Sequence, residues 1–556
     1  MITLESRLTG ALRRSLGSDA RAIPEALRWE LPKDPSFGDF SSSVAFKLAK
    51  SRRAAPQQIA EELAGALMRQ LAAEGLQQWI ERIEPRAGYV NAYVSHAAMA
   101  QMVRQILRER SRFGLGRAGR APRRISLEFV SANPTGPLSV AHGRQAAMGD
   151  ALARLLRSQG DHVTAEFYLN DEGRQVELLG RSLRARCLGL LGRPEPVPED
   201  GYHGAYLLEV ARAFLARDGE RILSQPEAES LPQLSAFAMD QLLQNIQHDL
   251  QRSGVHFDQW SSQRWLRTSG RIEQALEALR RAGALYEADG ALWFASTKFG
   301  DDKDRVVRKR DGELTYLAPD IAYHQWKFER GYELLLNVWG PDHHGYIPRL
   351  KAAVAALGLP ADRLTVRIVQ LVTLSRRGTP VPMSKRQGEF VTFRELLDEV
   401  GVDATRFFFL MRTMESPLDF DLELATSQSD ENPVYYVQYA HARICSILAY
   451  GRGRLPWWVR WRPDLGLLRE PEERLLMRRL FQYPVVLRLC AQALEPHGLT
   501  TYLQKLAETF HGFYAKHRVI ADDQRRSAAR LILVTATRQV LENGLNILGV
   551  TAPRRM

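Results

Sequence analysis

The chain has 556 residues, 45% of them apolar, and 76 Lys+Arg against 64 Asp+Glu give it a formal charge of +12. That length fills two to four domains, and the positive excess suits a polyanionic partner while conferring no specificity by itself. No apolar run approaches the ~20 residues that cross a bilayer and no signal-peptide pattern opens the chain, so a soluble, cytoplasmic protein with no membrane partner is expected.

In chain order, residues 1 to about 118 read as helices with short strands: 57–71 is amphipathic, and strands are predicted near Ile83 and over 89–93. An Arg/Gly-rich linker, RSRFGLGRAGRAPRR, leads into a block of about 119–425. Its first strand begins at Ile125, where Ile125, Leu127 and Phe129 alternate with Ser126, Glu128 and Val130. Residues 131–137 form a loop punctuated by two prolines and a glycine. Met148, Leu152, Leu155 and Leu156 then recur at helical spacing until Gly160, and 163–169 is the next strand. Strand, helix and strand of this length imply a parallel sheet with ligands at the carboxyl ends of its strands. The helix start offers unpaired N–H groups and a positive dipole end, with His142 and Arg144 beside it, so phosphate is its natural ligand. A mostly helical insertion, about 171–293, precedes the second half of the sheet, which has strands at Leu334–Trp339 and 364–374 and a helix over 347–357. The last block, about 426–556, is helical: Asn432 is a good cap with Pro433 at the first helical position. Leu531, Val534, Leu541, Leu545 and Leu548 form an apolar stripe that Gly549 ends.

The line EFVSANPTGPL, the tetrad Ser139-Val140-Ala141-His142 and the following YLNDEGRQ resemble the class I aminoacyl-tRNA synthetases, and within them the bacterial-type arginyl-tRNA synthetases, with a degenerate HIGH motif. The resemblance continues in order through FGDDKDRV, TYLAPDIAYH, NVWGPDHHGYIPRLKAAV, MSKRQGEFVT, NPVYYVQYAHARICSIL and LENGLNILGVTAPRRM, so it covers essentially the whole chain. It implies an α/β fold with a Rossmann-type parallel-sheet catalytic domain (119–425, insertion 171–293), an α+β N-terminal domain (1–118) gripping the tRNA elbow, and an all-α C-terminal anticodon-binding domain (426–556). The implied activity is ATP-dependent conversion of L-arginine to arginyl-adenylate and its transfer to the 3′ end of tRNA(Arg), by a monomer. Two other readings stay open: an arginine-activating paralogue with a non-tRNA acceptor, and a non-catalytic tRNA-binding regulator. The anticodon-like block argues against the first, and the arginine pocket against the second.

Joining a carboxylate to the α-phosphate of ATP and expelling pyrophosphate needs reactants held in line and donors around the phosphates. The resemblance makes His142, Lys385 and Ser139 the catalytic candidates, and puts Ala141, His142, Asp342, His343, Met383, Ser384 and Lys385 around ATP. A planar guanidinium with five donors is best met by a carboxylate. By resemblance, Tyr316 and Asp320 line that pocket, with Glu128, Ser131 and Asn133 also in the arginine site; locally, Asp320 reads as well as a helix cap after Ala318-Pro319. Asp342-His343-His344 chelates poorly because adjacent side chains diverge, and Cys187, Cys445 and Cys490 lack any C-x-x-C pairing. No dedicated metal site is expected; Mg2+ should arrive with ATP. Tyr436, Tyr439 and Arg443 share one helix face, a spacing that suits core packing, and the resemblance assigns them to unstacked tRNA bases.

The family has histidine at the Ser139 position and glycine at the Ala141 position. Losing a phosphate-facing hydrogen bond costs roughly 1.5–3 kcal/mol, and a methyl in a tight contact roughly 1–3 kcal/mol. Together these slow the reaction by about two to four orders of magnitude. Pro382 replaces the first KMSK lysine, and FGDFSSS at 37–43 has a serine where the family carries an asparagine near the tRNA D-loop. A slow or specialised synthetase is the expectation.

Overall fold

A computed structural model describes residues 4–22, 29–32, 34–116, 121–381, 391–451, 453–456 and 463–556. The first block pairs strands β1 (Phe40–Ser42), β2 (Ile80–Arg86) and β3 (Tyr89–Val94) in antiparallel order β1-β3-β2. The amphipathic stretch is the helix Pro56–Ala73, which buries Ile59, Leu63, Leu67 and Leu71. This block docks on the C-terminal helix Pro471–Ala493 through ion pairs Asp39–Arg478, Glu5–Arg488 and Glu81–Arg474.

The main sheet begins with β4 (Arg124–Phe129), followed by β5 (His162–Leu169) and β6 (Gln259–Ser262). A separate antiparallel sheet holds β7 (Leu285–Ala288), β8 (Ala291–Phe294) and β9 (Arg305–Arg308). The main sheet then resumes with β10 (Leu334–Trp339) and β11 (Leu364–Ile368), giving the all-parallel order β11-β10-β4-β5-β6. The expected insertion is thus less uniformly helical than its sequence reads. Its helices Arg174–Leu190, Tyr206–Asp218 and Glu227–Arg252 pack a core of their own, yet β6 returns to close the sheet edge. The segment QWSS is short and polar, so it carries no strand periodicity. Its place is fixed instead by Ser261 Oγ, which donates to the fully buried Glu166 at 2.6 Å.

The stretch 364–374 is two strands rather than one: β11 ends at Ile368, and β12 (Val372–Arg376) joins β13 (Thr379–Pro380) and β14 (Leu418–Asp421) in a third sheet. Arg144 accounts for the break. Its buried guanidinium accepts nothing and donates to the carbonyls of Gln370 (2.9 Å), Thr413 (2.9 Å) and Ser416 (2.9 Å), which draws the chain out of the first sheet. Burial pushes its pKa down to about 10.

The helix Val140–Ser158 lies buried along most of its length. Gly143 and Gly149 permit this approach: a Cβ there would sit 2.3 Å from the Phe393 ring and 2.2 Å from the Phe129 ring. Helices Pro433–Gly451, Pro471–Ala493, His497–Lys516 and Gln524–Leu548 build the last block. Asn432 Oδ1 caps the first, accepting from Val434 N at 3.2 Å, and Gly549 ends the last with φ +70°. Buried Arg406 joins the blocks, donating to the carbonyls of Leu548 (3.0 Å) and Ser253 (2.9 Å) and pairing with Asp150. No helix among the described residues is long and apolar enough to cross a membrane.

Candidate active site

Two consecutive non-glycine residues leave β4 in the left-handed region, Val130 at φ +67° and Ser131 at φ +41°. Such strain, in a β-branched residue above all, costs on the order of 1–3 kcal/mol per residue and persists where the surroundings over-determine it. Here the turn aims Ser131 Oγ, which donates to Glu128 Oε1 (3.2 Å) and accepts from Tyr168 N (3.1 Å).

Glu128 is buried, and its other oxygen meets Lys327 Nζ at 2.5 Å. The same ammonium donates to Asn337 Oδ1 (3.3 Å) and lies 4.1 Å from the Tyr323 ring centre. Asn337 Nδ2 donates to His324 Nε2 (2.8 Å), whose Nδ1 donates to the Asp320 carbonyl (2.8 Å). Burial, then the nearby Lys327 charge, pulls the His324 pKa down to about 3, so the ring is neutral and this donor pattern is self-consistent. Three elements, β4, β10 and the helix Leu317–Glu329, are thereby wired together. Residues Lys327, His324, Asn337 and Tyr346 were not on the sequence-based candidate roster. A signal existed: His324 and Lys327 follow Asp320 by four and seven, on one helix face.

Asp320 itself is half-buried, and its Oδ2 accepts from Tyr346 Oη at 2.6 Å. Burial pushes its carboxyl up to about 7, with Glu128 adding to the shift and Tyr346 and Lys327 opposing it. It occupies the first turn of its helix without capping it. Glu128 and Asp320 are near neighbours that are matched differently: among the described residues, the first carboxylate meets a cation and the second has the Tyr346 hydroxyl as its hydrogen-bonding partner. Tyr316 stands at the surface, 60% exposed, and Asn133 is exposed with its Nδ2 on Gln175 Oε1 (2.7 Å). Both are exposed, whereas Glu128, Lys327, His324 and Asn337 are buried.

At the tetrad, Ser139 is the N-cap of the helix Val140–Ser158 and closes a capping box with His142. Ser139 N donates to His142 Nδ1 (3.2 Å) while His142 N points back at Ser139 Oγ (3.5 Å). With Nδ1 accepting, the neutral ring carries its proton on Nε2. Ala141 and His142 are both partly exposed at this first turn. Arg144 does not join them; it points into the protein, as described, so the expected phosphate neighbour is a structural tie. Past β10, the 3-10 turn Pro341–Tyr346 carries Asp342 and His343, both exposed and 3.4 Å apart. Asp342 Oδ1 folds over Gly340, beside Gln145 of the tetrad helix.

Met383, Ser384 and Lys385, with Pro382, lie outside the described residues. The flanks are described: Val381 N donates to Leu374 O (2.9 Å), and Phe393 N donates to Leu138 O (2.8 Å). Thr392 forms a β-bridge with Ser139 and caps the next helix, Phe393–Val400. The chain thus returns from the MSKR segment directly onto the tetrad.

In the C-terminal block, Tyr439 stacks with Tyr435 (5.9 Å) and His511 (6.0 Å), and Arg443 covers its ring at 4.4 Å. Tyr436 packs on His511 at 4.7 Å. All three expected residues are half-buried, and Tyr436 also packs against the hydrophobic core.

Family models match in chain order: an arginyl tRNA synthetase N-terminal domain over residues 3–94, a class I (R) tRNA synthetase catalytic domain over 233–413, and a DALR anticodon-binding domain over 437–556. The chain is 44% identical over 536 residues to arginine–tRNA ligase 1 of Halalkalibacterium halodurans, covering 96% of this chain and 95% of that protein. It is 46% identical over 540 residues to the arginine–tRNA ligase of Syntrophotalea carbinolica, with 96% and 95% covered. A putative arginyl tRNA synthetase structure from Campylobacter jejuni aligns with TM-score 0.78 at 32% identity, covering 83% of this chain and 100% of that one. The Thermus thermophilus arginyl-tRNA synthetase shares the fold, with TM-score 0.78 at 24% identity and full coverage of both chains.

Proposed function

The chain belongs to the arginyl-tRNA synthetases, ATP-dependent arginine–tRNA ligases, and on that premise we propose which of its residues perform each part of the reaction. Asp320 takes the guanidinium. The observation that carries this is its state in the pocket: a carboxylate with one hydroxyl partner, beside a second carboxylate already neutralised by Lys327. A bidentate fork arriving there gains charge-assisted bonds that the site makes to nothing else. Tyr316 and Asn133 close over the ligand from the rim, and the strained Val130-Ser131 turn holds Glu128 and the end of β4 still.

ATP lies across the tetrad helix start and the 341–346 turn. His142 donates from Nε2 to the phosphates, and Mg2+ comes with the nucleotide. Ser139 supports His142 by the capping box rather than touching phosphate itself. Lys385 enters by its place in the sequence, between two anchors of which one is the tetrad. Tyr436, Tyr439 and Arg443 take tRNA bases. The enzyme works as a cytoplasmic monomer. Arginine-dependent pyrophosphate exchange, run with and without tRNA, tests the pocket assignment: Asp320→Ala should lose arginine use far more than ATP binding, and equal loss of both would refute it.

A further inference from the structure

The helix His96–Glu109 connects the first block to the sheet, and its two faces differ. One buries Ala98, Met99, Val103 and Ile106. The other exposes Gln101, Arg104 and Arg108, and the 3-10 turn Arg110–Arg112 continues it with Arg110 and Arg112 also exposed. Among the described residues, none of these four arginines forms an ion pair. Their neighbours do: Arg82 pairs with Glu81, Arg123 with Asp161, Arg154 with Asp150, Arg157 with Asp258 and Arg474 with Glu81. Two of the four, Arg104 and Arg108, line a groove of about 610 Å³ together with Gln101 and Gln105 and, from the C-terminal block, Asp464 and Gly466. Asp464, which lines the groove, accepts from Gly466 N through Oδ1 (2.8 Å), and Glu109, next to Arg108 in the chain, accepts from Gln105 Nε2 through Oε1 (3.0 Å).

We propose that this groove and the ridge of arginines above it form a phosphate track for the ribose–phosphate backbone of the tRNA substrate. The inference rests on the chain being a tRNA ligase and adds a contact region to it. Charge complementarity selects the occupant. Cations without internal partners in a chain of charge +12 match a polyanion, and a groove edged by amide and guanidinium donors matches phosphate oxygens. Continuity supports it as well. The ridge runs from the first block to the C-terminal helices, where Asn543 Nδ2 donates to the Arg110 carbonyl at 2.9 Å. It therefore lies where the first block meets the C-terminal helices.

Backbone contacts of this kind release counterions and read no sequence, so their signature is salt dependence. The test uses the full-length enzyme and a tRNA(Arg) transcript, with binding measured from about 50 to about 200 mM salt. Arg104→Ala with Arg108→Ala should flatten the log K against log salt slope by about 1 to 2 and raise the tRNA KM by about 3- to 20-fold. KM values for arginine and ATP at saturating tRNA should not move. Arg104→Lys with Arg108→Lys should keep the wild-type slope. An unchanged slope and tRNA KM in the alanine variant would overturn the proposal, as would a lysine variant that loses as much as the alanine one. Wild-type charging of tRNA in the same assay separates the two ideas: if it occurs while the slope stays fixed, the track alone is wrong.

Discussion

The pocket proposed for arginine and the tetrad helix start sit at the carboxyl edge of one sheet and are built on opposite plans. At the pocket, polar side chains are joined before substrate arrives: Glu128 to Lys327, Lys327 to Asn337, Asn337 to His324 and His324 to the Asp320 backbone. At the helix start, Ser139 and His142 satisfy each other, and the cap replaces one candidate phosphate donor. A cationic side chain is recognised by a fixed count of buried charges, which tolerates little change. Phosphates are recognised by many weak donors, including backbone N–H groups and the helix dipole, so one side chain there can take a structural role without removing the site.

The largest expected effect breaks the pocket itself. Lys327→Met leaves the Glu128 carboxylate buried without its cation, and removing one partner of a buried pair costs roughly 3–5 kcal/mol. Urea titration of the folded enzyme should show a loss of that order. A loss below about 1 kcal/mol would mean that Glu128 simply takes up a proton and the wiring is unimportant. On the other side of the comparison, Ser139→His with Ala141→Gly should raise the adenylation rate by about tenfold or more, by adding a phosphate donor and opening close adenine approach. The same variant should lose about 1 kcal/mol of stability with the cap. A double variant no faster than the parent would show that the helix start already supplies every donor the reaction uses.

Tyr439→Ala lies outside both regions. It should weaken the tRNA term by roughly 1–3 kcal/mol, as for one lost stacked base, with arginine and ATP constants held. A fall in melting temperature with unchanged relative tRNA affinity would make Tyr439 a packing residue. The smallest effect is on pH. Asp320 has its pKa raised to about 7 by burial, so the ionised form that binds guanidinium is filled only as pH rises through that value. Arginine affinity should strengthen between about pH 6 and about pH 8 and then level off, with a proton released on binding below the plateau. For stability the sign is opposite: this raised carboxyl favours the ligand-free fold at low pH and loses that contribution as pH climbs through its folded pKa. Calorimetry in two buffers of different ionisation heat reads the proton directly.

Much of this was legible in the chain. The tetrad helix announced itself by an apolar stripe and a glycine stop, and the parallel sheet by the strand–helix–strand spacing around it. What stayed hidden depended on distant partners. The polar run QWSS becomes a sheet strand only because Glu166 of β5 needs Ser261. The apparent strand 364–374 divides because Arg144, more than two hundred positions earlier, takes the Gln370 carbonyl. Lys327 takes its meaning from Glu128, 199 positions away.

The central claim is that Asp320 is the guanidinium acceptor in a pocket whose other carboxylate is already matched. Asp320→Asn tests it most directly, because the amide keeps shape and a single acceptor while removing the charge. The account predicts that kcat/KM for arginine at about pH 8 falls by about 10- to 150-fold, the worth of a charge-assisted bond, with the ATP KM unchanged and the pH dependence near 7 abolished. An arginine KM equal to wild type, still moving with pH near 7, would contradict it.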